Sequence, residues 1–144
     1  MKNILFVCTG NTCRSPLAEY LLKEKAGDQL SVKSAGVTAW PGVPISQGTA
    51  DVLDQRGISH QHFSQSVSAE LVSWADVILT MTSSHKEMLS IKHPNASGKV
   101  HTLKGYAATG GDIADPIGGP KEEYEQVGIE LEQCIDELLE KWKM

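Results

Sequence analysis

The apolar run Ile4-Leu5-Phe6-Val7 breaks into Cys8-Thr9-Gly10-Asn11-Thr12-Cys13-Arg14-Ser15, and Pro16 then leads into Leu17, Ala18, Leu21 and Leu22. The first run reads as a buried strand, and the second set recurs at helical spacing. Proline is well tolerated in a first helical turn, where its missing N–H has no partner to lose. The chain thus begins as strand, tight loop and helix, the helix opening between Arg14 and Pro16. Strand and helix patterns alternate from there on, which implies a parallel α/β sheet.

The loop has a chemical consequence. Backbone N–H groups in a tight turn, with the positive end of a helix, form a concave anion site. Gly10 lets the loop curl and lets an oxyanion approach the backbone. Arg14 adds a planar fork able to hold two phosphate oxygens. Cys8 lies at the bottom of the same bowl, so its thiolate is expected to be favoured over the thiol. Ser15 is placed to give that sulfur a hydrogen bond. These residues together aim a nucleophile at phosphorus. The competing reading, a cap and turn in which Cys8 and Cys13 are merely small and buried, does not explain why Gly10, Arg14 and Ser15 accompany them.

Cys, five residues and then Arg-Ser is the phosphate loop of cysteine-dependent phosphatases. Placed after the first strand and written Val-Cys-Thr-Gly-Asn-Thr-Cys-Arg-Ser-Pro, it resembles the low-molecular-weight phosphotyrosine protein phosphatase family. The resemblance implies a flavodoxin-like three-layer α/β fold. Its four-stranded parallel sheet would run in the order 2-1-3-4 with helices on both faces, the first strand lying beside the switch point where ligands bind. It also implies that Cys8 and Arg14 are catalytic and that Thr9, Gly10, Asn11, Thr12, Cys13, Arg14 and Ser15 hold phosphate. In the family an asparagine at the position of Asn11, a serine at that of Ser34 and a histidine near that of His62 hydrogen-bond beneath the loop. Asp115-Pro116, followed by Gly118 and Gly119, matches the family's general-acid loop. A carboxyl group there protonates the leaving atom and then activates water against the cysteinyl-phosphate. By residue type alone, Asp-Pro is a turn starter, and Asp112 rivals Asp115.

Two departures bear on the substrate. Tyrosine-selective members usually carry a bulky aliphatic residue where this chain has Thr12, and many place aromatic residues just after the Asp-Pro pair, where this chain has Ile117-Gly118-Gly119. A threonine makes a more polar rim that can order a water or meet a planar cation, and Asp115 can pair with a guanidinium. These features resemble the protein-arginine phosphatase branch of the family. The expected reaction is phosphoarginine hydrolysis in proteins, with inorganic phosphate as product and phosphotyrosine as the alternative substrate. Trp40 favours that alternative if it stacks on a substrate ring; otherwise it anchors its loop.

At 144 residues the chain is expected to form one domain over 1–144, with a core of ordinary size. A net charge of −5 argues against nucleic-acid or anionic-membrane partners. No apolar stretch approaches the roughly 20 residues of a membrane span, and the short run after Lys2 is below signal-peptide length. Three cysteines give no disulfide framework, so a cytoplasmic protein with reduced thiols is expected. Arsenate reductases share such a loop but need a cysteine relay outside it, and Cys134 sits on the apolar face of the last helix. His60 and His62 lack the clustered ligands of a metal site; neither metal nor cofactor is expected. A non-catalytic phosphoprotein-binding module could dispense with Cys8 or Asp115, and both are present. Cys13 either fills the loop's underside or resolves an oxidised Cys8 into a reversible disulfide.

Along the chain, helices are expected over 14–26, 46–56, 68–74, from a capping box at Ser84-His85-Lys86-Glu87 to just before Pro94, and through Tyr124, Val127, Leu131, Ile135, Leu138 and Trp142. Strands are expected over 30–35, around 77–79 and over 99–103. A long glycine-rich loop is expected over 105–120.

Overall fold

The computed structural model describes residues 2–107 and 110–143. Its central strand, β1 (Lys2–Cys8), pairs in parallel with β2 (Leu30–Gly36) on one side and β3 (Val77–Thr80) on the other. The fourth strand, β4 (Val100–Thr102), pairs with β3, giving the order β2-β1-β3-β4. The register runs Cys8 against Gly36 and Val7 against Thr80.

Helices on both faces explain why β1 is apolar without alternation. Ile4, Phe6 and Cys8 face a core shared with α1 (Arg14–Ala26), α2 (Gln47–Gln55) and α6 (Lys121–Lys141), which holds Leu17, Leu21, Leu53, Leu131 and Leu138. Leu5 and Val7 face the other core, with Leu71 and Val72 of α3 (Ala69–Trp74) and Leu89 of α4 (Ser83–Lys92). Full burial of each such side chain contributes roughly 1.5–3 kcal/mol.

Short polar side chains set the helix starts. Ser46, Ser68, Thr82 and Thr102 accept from the backbone N–H of Thr49, Leu71, His85 and Gly105 respectively. Two of these differ from the sequence reading. The cap of α4 is Thr82, not Ser84, because extended backbone lasts through Thr82 and Ser84 falls inside the first turn. The Thr102 cap turns the expected end of β4 into a four-residue helix, α5 (Leu103–Tyr106), with Leu103 buried in the core. The expected loop over 105–120 therefore begins after Tyr106; Ala108 and Thr109 lie outside the described residues. Trp142 stands one residue past α6, its N–H returning to Leu138 O.

Candidate phosphate-binding and catalytic site

β1 delivers Cys8 to the C-terminal edge of the sheet, and α1 starts at Arg14, so the five residues between must turn tightly. The turn needs one left-handed residue, and that residue is Asn11 (φ 58), not Gly10. Asparagine tolerates this backbone better than most residues. Gly10 serves differently: a Cβ there would meet only Thr12 Oγ1 at 3.9 Å, so its place is open space for a ligand. Gly36 makes room from below, since a Cβ on it would stand 2.4 Å from Thr9 O.

Asn11 is buried and fully engaged. Its Nδ2 donates to Ser15 Oγ and Ser34 Oγ, both at 2.9 Å, and its Oδ1 accepts from Gln65 N at 2.9 Å. His62 Nε2 donates to Asn11 O at 2.8 Å. Ser34 Oγ in turn donates to Glu19 Oε1 at 2.6 Å. Ser34 and His62 thus meet beneath the loop at one asparagine. Glu19 and Gln65 complete the network and are absent from the sequence reading. Glu19 lies one helical turn after Ser15 on α1, a spacing that would have pointed to it.

Cys8, Thr9, Gly10, Thr12, Cys13, Arg14, Asp115 and Ile117 line one cavity of about 250 Å³. Larger hollows, about 640 Å³ beside Lys33 and Trp74 and about 550 Å³ along Lys86 and Ile91, are more open and contain no nucleophilic cysteine, so size does not identify the site. Ser15 Oγ lies 2.8 Å from Cys8 Sγ, and Asn11 N–H donates to the same sulfur at 3.3 Å. Cys8 is only 3% exposed, and burial pushes its thiol up. The Ser15 hydroxyl, the Ser15 and Asn11 N–H groups and the Arg14 charge pull the other way, and the positive end of α1 adds to them. The expectation that the loop amides, Arg14 and Ser15 make the thiolate the favoured form is therefore corrected for the pocket as it stands: burial is the largest influence, and it outweighs these partners.

Arg14 is nearly buried and held at both nitrogens. Nη1 donates to Ile113 O at 2.9 Å, and Nη2 lies 3.4 Å from Asp115 Oδ2 and 3.5 Å from Thr9 Oγ1. The Asp115 side chain is 44% exposed at the cavity mouth, with Oδ1 accepting from Ile117 N at 3.0 Å. Asp112 is committed elsewhere: its Oδ1 accepts from Ser83 N at the start of α4. Cys13 Sγ donates to Ser46 Oγ at 3.3 Å and lies 3.8 Å from Tyr124 Oη. Cys8, Cys13 and Cys134 are all unlinked by disulfides, and Cys134 is buried on α6. Trp40 is 80% exposed and lies outside the cavity lining, so it is no packing anchor for its loop. His85, read from sequence only as part of a helix cap, reaches the cavity wall through Thr9 Oγ1, 2.8 Å from its Nε2. Among the described residues no helix is long and apolar enough to cross a membrane.

Comparison with known proteins agrees with this geometry. Residues 3–144 match the family described as low molecular weight phosphotyrosine protein phosphatase. A protein-arginine-phosphatase of Geobacillus stearothermophilus is 49% identical over 139 residues, 96% of this chain and 94% of that one. A low molecular weight protein-tyrosine-phosphatase, PtpB of Staphylococcus aureus, is 39% identical over 135 residues, 94% of this chain and 95% of that one. Among solved structures, the YwlE arginine phosphatase from Geobacillus stearothermophilus superposes with a TM-score of 0.96 at 47% identity, covering 99% of this chain and 94% of that one.

Proposed function

The chain belongs to the low molecular weight phosphotyrosine protein phosphatase family, and from that premise we propose that it is a cysteine-dependent protein phosphatase acting on phosphoarginine. Cys8 attacks phosphorus as the thiolate, the form that Ser15, the loop N–H groups and Arg14 stabilise. Arg14 and the loop amides hold the phosphoryl oxygens as charge builds on them. The P–N bond breaks as the Asp115 carboxyl gives its proton to the departing guanidine nitrogen, leaving cysteinyl-phosphate. Asp115, now a carboxylate, takes a proton from the water that releases inorganic phosphate. Asn11, Ser34 and His62 hold the loop in shape, which matters because an ångström of misplacement costs on the order of 10²-fold.

One observation carries the choice of arginine: Thr12 lines the same cavity as Cys8, Arg14 and Asp115, and Ile117 rather than an aromatic ring completes the lining after the Asp-Pro pair. A threonine hydroxyl beside an exposed carboxylate suits a planar cation, whereas a phenyl ring would find no aromatic side chain among the lining residues to stack on. The relative's name, protein-arginine-phosphatase, supports the same reading.

The test is turnover of matched phosphoarginine and phosphotyrosine peptides by the wild type and by Thr12→Ile. The wild type should prefer phosphoarginine. Thr12→Ile should lower that preference by roughly 10-fold or more, the scale of one side-chain change in a pocket. A wild type that prefers phosphotyrosine overturns the arginine reading in favour of its tyrosine alternative.

A further inference from the structure

His85 sits in the first turn of α4, 4% exposed, against the outer side of the phosphate loop. Its Nε2 lies 2.8 Å from Thr9 Oγ1, and its Nδ1 is the buried side-chain polar atom that lacks any partner among the described residues. Three charged groups face the ring: Arg14 from α1, and Asp112 and Asp115 from the acid loop. Burial, with the Arg14 charge beside it, holds its pKa down at about 4, so the ring is neutral near pH 7.

A neutral imidazole has one N–H and one bare nitrogen. If Nδ1 carried the hydrogen, a buried N–H would be left without an acceptor, which is rarer than an acceptor left without a donor. Nε2 therefore carries it and donates to Thr9 Oγ1. Arg14 Nη2 approaches the same oxygen at 3.5 Å. With both neighbours donating, the hydroxyl's own proton is needed by neither. Thr9 lines the same cavity as Cys8, so that proton is free for an acceptor there.

We propose that His85 is a positioning residue for phosphoryl binding: it fixes the Thr9 hydroxyl so that Thr9 braces Arg14 and gives its own hydrogen bond to a phosphoryl oxygen. The proposal rests on the reading that this cavity binds a phosphoryl group, and it is indifferent to which side chain carries that group. It makes Thr9 a side-chain ligand and gives α4 a part in a site otherwise built from the phosphate loop and the acid loop.

The test is a double-mutant cycle of Thr9→Val and His85→Leu, read as the inhibition constant of inorganic phosphate and as kcat and KM with p-nitrophenyl phosphate, alongside His85→Gln. Each single change should weaken phosphate binding by about 10-fold, the lower end for a hydrogen bond to a charged group. The double variant should be no more than about 2-fold weaker than Thr9→Val, because both changes remove one interaction. His85→Gln, whose amide can occupy the place of Nε2, should recover most of the loss. Losses that multiply in the double variant, or a Gln variant as weak as Leu with an unchanged melting temperature, overturn the proposal. Should His85→Leu fail to fold, Thr9→Val with unaltered phosphate affinity overturns it as well. A wild type that prefers phosphotyrosine leaves this cycle untouched, since inorganic phosphate has neither leaving group; a wild type that binds no phosphate refutes the phosphatase reading itself.

Discussion

Ser15→Ala isolates the partner that most strongly opposes burial at the Cys8 sulfur. The hydroxyl lies 2.8 Å from Sγ, and a hydrogen bond to a charged group is worth about 1.5–3 kcal/mol. At 1.36 kcal/mol per pKa unit, its loss should raise the thiol by roughly 1–2 units. Below the titration midpoint the thiolate fraction, and with it the rate of alkylation by iodoacetamide, should fall by about 10- to 100-fold. The change has a side effect, because Ser15 Oγ also accepts from Asn11 Nδ2. Ser34→Ala supplies the control: it removes the other acceptor of the same amide, 2.9 Å away, without touching the sulfur. Both variants should lose melting temperature, and only Ser15→Ala should move the midpoint of the alkylation–pH curve. Equal midpoints in the two variants would refute the claim that the hydroxyl, rather than general loop order, supports the thiolate.

Further outcomes follow from the acid loop and from His85. Asp115→Asn should lower kcat on phosphoarginine peptides by about 10²–10⁴-fold, the usual worth of general acid–base help, while inorganic phosphate still inhibits; unchanged kcat would remove Asp115 from the mechanism. His85 is held down to about 4 in the fold against an ordinary value near 6.5, so below that ordinary value the unfolded chain binds more protons. Stability is then fully present above about pH 6.5 and falls as pH drops toward 4. Melting temperature against pH should show that acid-side loss in the wild type, and His85→Gln should reduce it.

What could be read in advance was local. The strand at Ile4-Leu5-Phe6-Val7, the helix from Arg14 to Ala26 and the helix starts near Ser46 and Ser68 depend on neighbours within a turn or two. The strand order came through likeness to a family, because periodicity says which segments are strands and not which of them pair. Residues that act across long separations stayed hidden. Gln65 meets Asn11 across 54 positions and His85 meets Thr9 across 76, with no pattern to announce either. The balance at Cys8 was misjudged for a related reason: hydrogen-bond donors are visible as residue types, whereas the depth of burial is a property of the assembled core. Glycine adopts the left-handed turn most cheaply, yet the fold assigns it to Asn11, whose side chain holds that backbone with two buried hydrogen bonds and a third, part-buried one from Gln65 N.

The Asn11 amide joins pieces of chain that are distant in sequence: Ser15 on α1, Ser34 on β2, and the connection that carries His62 and Gln65. The nucleophile's cradle is consequently complete only when all these segments have docked. A fragment ending before residue 62 would contain the whole signature motif and still lack the underside that shapes it. Grafting the eight-residue motif onto another scaffold would fail for the same reason.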